Sequence, residues 1–406
     1  MTRAPALDVC HMILVPTYSP CALRGDAILI DRKLHTGICA YVEGLGCAVT
    51  VLAPALSASD RLMDGVELQV ASLPYRVASV DCDGSFRVRD VDRARVRALV
   101  READLVYGVG FGVAGLARRS KTPYVAVAEY NWRTQVVFAQ ASVAGPLRRA
   151  VRASRAWLRF RGEVRDRRLA RAVHCNGFPV YEECARINPE RLLYLDSRMT
   201  AGGVIAEATL AERLARVGAG RRPRLLFSGR FTPAKGVMDA VEAGVLLAQR
   251  GVDFELDFYG QGSEGARMRD RVRAAGLQER IQIHDPIPFP ELMTRAQTYD
   301  VFLCCHLQDD PSCTYLEASG AGLPIVGYGN RMWCAFAAAA CNGVVTQLSS
   351  PALLADAVAA LLGDHDRLAA FAWRSRAFAL DHCFEREFDK RIAALKPLVV
   401  ELGIRG

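Results

Sequence analysis

The chain reads as an α/β protein made of two doubly wound, mainly parallel sheet domains that face each other across a cleft. Three observations predict this. At 406 residues the chain is longer than one ordinary hydrophobic core fills. Short apolar strand-like runs alternate with helical stretches, and they do so in two separate series, as parallel sheets covered on both faces require. Between the series lies a polar, glycine-containing break, "DSRMTAGGVIAEATLAERLARVGAGRRP" at 196–223, with one short helix in it. Paired sheets of this kind bind ligands outside the carboxyl ends of their strands, in the crevice between domains.

In the first series the strand-like runs are "HMILVP", "AVTVLAP", "VELQVASL", "DLVYGVG", "YVAVAE" and "RAVHCN". The opening segment carries about eight apolar-leaning residues before Pro16 and no small-residue cleavage site, so it reads as a first strand and not as a signal peptide. The second series is "RLLFSG", "FELDFYG", "RIQIHD", "DVFLCC", "LPIVGY" and "GVVTQL". The expected division is a first domain over 1–195, a linker over 196–222 and a second domain over 223–382. A final helix over 383–406, "CFEREFDKRIAALKPLVVEL" and beyond, is expected to pack back on the first domain.

Composition narrows the class. Apolar residues make up 51% and charged ones 24%, as in an ordinary globular protein, and no apolar run nears the roughly 20 residues of a membrane-spanning helix. The thirteen cysteines form no Cys-x-x-Cys pair, which fits reduced thiols used as small core residues in a cytoplasmic protein. No histidine or carboxylate cluster has metal-ligand spacing, so neither a metal nor another cofactor is expected. Net charge is +8, and residues 146–171 account for all of it with ten Arg against Glu163 and Asp166. Two readings of this helical segment stand side by side. It carries Trp157, Leu158 and Phe160 and suits an anionic membrane surface, or it is a solvated helix in a chain with 47 Arg and only 5 Lys. No aromatic-interleaved or helix-turn-helix module accompanies the charge, so nucleic acid is not an expected partner.

Chemistry concentrates in the second series. After "RLLFS" comes "GRFTPAKG", where Gly229 permits close backbone approach and Arg230 and Lys235 supply two cations just before a helix. That is an anion site suited to a diphosphate, or else a basic loop. Gly260-x-Gly262-x-x-Gly265 and Gly110-x-Gly112-x-x-Gly115 both satisfy the dinucleotide fingerprint, yet neither follows the first strand of its domain. Both read as tight strand-to-helix turns, the second-domain one lying also against a nucleotide. In "DDPSCTYLEASGAGLPIVGYGN" (309–330), two acids end a strand, a helix opens behind Pro311, and Glu317 sits in an apolar run. A carboxylate there is costly unless something binds it.

Taken together and in order, Gly229-Arg230, Lys235-Gly236, Gly260-x-Gly262, the acid-x7-acid spacing from Asp309 to Glu317, and Gly322-x-Pro324 resemble the donor-binding half of the retaining GT-B glycosyltransferases. This is the family 4-like group, also called glycosyl transferases group 1, and the match covers roughly 222–380. The resemblance implies two Rossmann-like domains and transfer of a hexosyl unit from a UDP- or GDP-sugar without a metal. Arg230 and Lys235 would neutralise the departing diphosphate, and backbone N–H groups at Ser312, Cys313 and Thr314 would join them. Glu317 would bind the ribose hydroxyls, Asp309 the donor sugar, and the base would lie near Asp285. The reaction implied is front-face transfer in which the leaving phosphate oxygen takes the acceptor's proton.

Three departures matter. The family's usual Glu is here Asp309, so the adjacent Asp310 is a candidate to share its work. Where the family carries a histidine, this chain has Glu129 and Tyr130, candidates for contact with sugar or acceptor. The usual glycine pair after the first strand is replaced by "TYSPCALRGDAILIDRK", which offers Arg24, Gly25 and Asp26 to an acceptor. The expected acceptor is a glycolipid, a polysaccharide or a small molecule, and the expected location is cytoplasmic, with peripheral attachment to the inner membrane face as an addition. A nucleotide-sugar epimerase of the same architecture, an NAD-dependent dehydrogenase and a non-catalytic nucleotide-binding partner of a membrane assembly are the competing readings.

Overall fold

In the computed structural model, residues 12–56, 62, 64–83, 87–141, 145–309 and 311–403 are described. The strands in chain order are β1 (Met12–Pro16), β2 (Ala22–Arg24), β3 (Ala27–Asp31), β4 (Ala48–Pro54), β5 (Gly65–Gln69), β6 (Arg76–Val80), β7 (Leu105–Gly108), β8 (Tyr124–Ala128), β9 (Ala172–Asn176) and β10 (Arg191–Tyr194). They continue as β11 (Arg224–Ser228), β12 (Glu255–Tyr259), β13 (Ile281–His284), β14 (Val301–Cys304), β15 (Ile325–Tyr328) and β16 (Gly343–Thr346).

Two parallel sheets result. The first runs β10-β9-β8-β7-β1-β4-β6, the second β13-β12-β11-β14-β15-β16. In each, the chain winds outward from its first strand in one direction and then returns to wind the other way. The strand order therefore reverses beside β1 and β7, and again beside β11 and β14, and those are the points where a ligand crevice opens.

Four strands, β2, β3, β6 and β10, escaped the sequence pattern, and one was misplaced by it. β6 and β10 are edge strands with mixed burial, so neither shows the continuous apolar run of a central strand. "VELQVASL" does contain a strand, but β5 pairs antiparallel with β3, which pairs antiparallel with β2. The segment around Arg24 is thus a hairpin, turned at Gly25 in the left-handed region (φ 60°), and not an open loop.

Three features set the cleft. The helix Arg32–Leu45 starts where the Asp31 side chain accepts from Leu34 N–H at 2.9 Å, and it ends at a left-handed Gly46. The helix Glu207–Gly218, in the break between the series, is docked: its buried Arg213 donates to the carbonyl oxygens of Ala321 and Gln297 in the second domain. The helix Phe384–Glu401 lies on the first domain, where Phe388, Ile392, Leu395 and Val399 join the core formed by β1, β4 and the helix Arg32–Leu45. Gly37 and Gly44 admit it, since a Cβ at either would run into Phe388 or Ile392. Glu387 anchors it, accepting from Leu195 N–H at 3.0 Å, His382 at 2.6 Å and Lys390 at 2.6 Å.

Candidate active site

At the β11/β14 reversal a cavity of about 700 Å³ lies open to the cleft, and Arg230, Lys235 and Glu317 all line it, with Gly229, Ser312 and Thr314. The local chain explains the arrangement. β11 ends at Ser228, and the loop behind it is pinned by Phe231, which is buried and whose N–H donates to Gln261 O at 2.8 Å. Lys235 ends a short 3₁₀ turn, Pro233–Lys235, and is itself buried. Gly236 after it has φ 63°, and a Cβ there would strike the carbonyl of Cys305 at the end of β14. The turn therefore brings the loop after β11 hard against the strand end beside it.

His306 follows β14 and is fully buried, and its Nδ1 makes no hydrogen bond. Burial, then the charges of Lys235 and Arg230, hold its pKa well below the usual value, so the imidazole is neutral beside both cations.

Glu317 has a protein partner. Its carboxylate, 7% exposed, accepts from Arg198 Nε at 2.8 Å, and Arg198 also pairs with Asp64 of the first domain at 3.3 Å. The guanidinium stacks over Phe289 at 4.1 Å. Burial works against the Arg198 charge, but Glu317 more than compensates and raises its pKa. The cost of burying Glu317 is thus met within the chain, not only by a ligand.

Residues 214–378 match the family described as glycosyl transferases group 1. The second domain is a glycosyl transferases group 1 domain. One relative is the 2-deoxystreptamine glucosyltransferase of Streptomyces kanamyceticus, 33% identical over 107 residues, covering 26% of this chain and 28% of that protein. The matched stretches span about a quarter of the length of such relatives. Among solved structures, Anabaena HepE in complex with UDP and glucose superposes with a TM-score of 0.65 at 15% identity, covering 94% of this chain and 98% of that one. The sucrose-phosphate synthase of Thermosynechococcus elongatus gives 0.65 at 14% identity, with 96% and 99% covered. The architecture is the two-domain GT-B fold.

Within this glycosyl transferase domain, other expected residues fall differently. Asp285 is a correction: its side chain is 91% exposed and faces Arg269 at 3.7 Å, outside the cavity. The preceding His284 turns inward to Asp257 at 2.8 Å, which throws the next side chain outward, and Pro286, Ile287 and Phe289 line the wall instead. Cys313 is also displaced from the cavity wall; its Sγ lies 3.1 Å from Lys33 Nζ of the first domain, which pairs in turn with Asp196. Burial opposes the Lys33 charge, but Asp196 holds its pKa above the usual value. The glycine fingerprint has a packing cause. A Cβ at Gly260 would fall on the carbonyl oxygen of Gly229, and one at Gly262 on that of Phe231. Only Gly260 of the two lines the cavity.

Asp309 is buried, and both its oxygens are engaged, Oδ1 by Arg331 N–H at 2.8 Å and Oδ2 by Asn131 Nδ2 at 2.8 Å. Asp310 lies outside the described residues.

In the first domain a second cavity, of about 170 Å³, opens at the ends of β1 and β7. Glu129 lines it, with Tyr18, Lys33, Asp196 and Arg391. Burial, then Glu163 and Glu129, push the Tyr18 phenol up to about 12. Arg391 reaches in from the final helix, sandwiched 3.8 Å from the Phe388 ring and 4.4 Å from Tyr194. Two expected residues are not part of this wall. Tyr130 packs edge-on against Phe138 at 5.3 Å, and Arg24 pairs with Glu67 across the β2-β3-β5 sheet at 3.2 Å. Sequence reasoning missed Arg198, Asn131, Lys33 and Arg391, whose partners are far away along the chain. Among the described residues no group of three or more His, Cys, Asp or Glu is placed to hold a metal.

Proposed function

We propose that the chain is a retaining glycosyltransferase that moves a hexosyl unit from a UDP- or GDP-sugar to a glycolipid, polysaccharide or small-molecule acceptor without a metal. The observation that carries this reading is the convergence of Arg230, Lys235 and Glu317 on one interdomain cavity at the strand-order reversal. The two cations meet the charge that grows on a departing diphosphate, which is where preorganised charge accelerates a reaction. Glu317 keeps a second carboxylate oxygen for ribose hydroxyls. The acceptor sits in the first-domain cavity beside Glu129, across the cleft from Asp309. With no side-chain base required, rate rests on closure and alignment.

Wild-type protein incubated with a panel of UDP- and GDP-sugars, with released nucleotide as the readout, tests this. Release from one or two donors is expected, and none from any donor refutes it. NADH titration is the control for a dehydrogenase, a reading that backbone contact at Gly260 and Gly262 makes unnecessary for the second-domain fingerprint.

One more observation favours membrane attachment. The helix Pro146–Leu169 exposes Leu147, Val151, Trp157 and Leu158 among its arginines, and the packed helix before it, Trp132–Ala141, adds exposed Trp132 and Phe138. Apolar and cationic groups on one element suit an anionic interface. No described helix is long and apolar enough to cross a membrane.

A further inference from the structure

We propose that Asn131 is a positioning residue that reaches across the cleft to aim the Asp309 carboxylate, so that the donor-sugar group is set only when the domains are closed. This rests on the glycosyltransfer reading above.

Asn131 belongs to the first domain, three residues past the end of β8, and is 0% exposed. Its amide is engaged in two directions. Oδ1 accepts from Thr134 N–H at 2.8 Å and so caps the helix Trp132–Ala141. Nδ2 donates to Asp309 Oδ2 at 2.8 Å, a contact between residues 178 positions apart. The cap fixes the side chain on the first domain, and the fixed amide presents its N–H to the second. A buried carboxylate accepting from a neutral donor is a strong and directional contact. On its other oxygen Asp309 accepts from Arg331 N–H, at the start of the helix Arg331–Ala340.

Asp309 is therefore held at two points, one on each domain. If the domains separate, the Asn131 bond is lost, Oδ2 loses its partner and the carboxylate is free to swing. A short Asp, with one side-chain torsion fewer than Glu, needs little more than these two bonds to be locked. The other charged or titratable groups facing it are Arg331 and Cys334 on that helix and Glu183 on the helix Phe178–Cys184.

The test is Asn131→Asp, which keeps the cap, since Asp caps as well as Asn, but replaces the donor with an acceptor. Two carboxylates then face each other, and only a shared proton restores the bond. The variant and the wild type are compared for UDP binding, and for hydrolysis of whichever UDP- or GDP-sugar the wild type releases fastest, across pH. The expected result is unchanged UDP affinity with turnover down roughly 10²-fold at alkaline pH, the size of an ångström-scale misplacement. Turnover then recovers toward wild type as pH falls. Wild-type turnover by the variant at every pH overturns the proposal, as does a parallel loss of UDP affinity or a loss with no acid recovery, either of which marks a merely structural role. If the wild type hydrolyses no donor at all, the glycosyltransfer reading fails and takes this proposal with it.

Discussion

Replacing Lys235 with Met is the most direct test of the diphosphate site. The turn Pro233–Lys235 and the glycine after it hold the loop behind β11 against the residue following β14, with Lys235 buried, so little reorganisation would precede a contact with phosphate. A cation about 3 Å from a phosphate oxygen interacts by about 5–6 kcal/mol at an effective dielectric of about 20. Only the part that grows as the oxygen leaves accelerates the reaction. Taking half to two thirds of it gives about 3–4 kcal/mol, or a turnover roughly 10²–10³ lower. Arg230 remains in the Met variant, so binding of the ground-state donor weakens less than turnover does. Steady-state nucleotide release measures both, with thermal unfolding followed alongside to recognise a misfolded variant. Turnover within threefold of wild type on the same donor would falsify the assignment of Lys235 to the leaving group.

Other perturbations have equally definite outcomes. Glu387→Ala removes a carboxylate that is 1% exposed and leaves the buried Leu195 N–H without its acceptor, at about 3 kcal/mol. The thermal midpoint should drop by about 6–12 °C, and a drop under 2 °C speaks against an anchoring role. Burial tends to raise the Glu387 pKa, but His382 and Lys390 outweigh it and set the folded value below the ordinary 4.5. Its stabilisation is therefore present above that ordinary value and lost as pH falls through the folded one, so wild type and variant converge in acid. Gly260→Ala drives a methyl into the Gly229 carbonyl and shifts the loop carrying Arg230, for which about 1–3 kcal/mol of stability and weaker UDP binding are expected. Unaltered UDP affinity in a calorimetric titration would contradict that. Vesicles rich in anionic lipid should retain the wild type at low salt and release it as salt rises, while Arg148→Glu combined with Arg152→Glu abolishes retention. Equal sedimentation with neutral vesicles rules out the basic helix as the attachment.

That Arg230, Lys235 and Glu317 share one cavity was legible because the residues that signal it are close along the chain within each of two short stretches. Gly229, Arg230 and Lys235 fall within the seven residues behind β11, and the acid-x7-acid spacing puts Asp309 in the loop after β14 and Glu317 on the helix behind it. What could not be read is whatever the two domains supply to each other. Arg198 and Glu317 are 119 residues apart, Asn131 and Asp309 178, and no period or motif links such pairs. Edge position hid β6 and β10, whose half-wet residues lack the apolar signature of β7 or β14. Asp285 went wrong by a single residue. The chain leaves β13 with His284 committed inward to Asp257, and the neighbouring acid turns to water.

The docking of Phe384–Glu401 on the first domain has a consequence for biosynthesis. Four of the side chains that close that domain's interior are translated after everything the second domain needs. While residues 223–382 are folding as they emerge, the groove beside Gly37 and Gly44 stays uncovered and wet. The earlier-made half is thus the later-finished one, and a ribosome stalled before residue 384 displays an open apolar seam that chaperones would be expected to occupy.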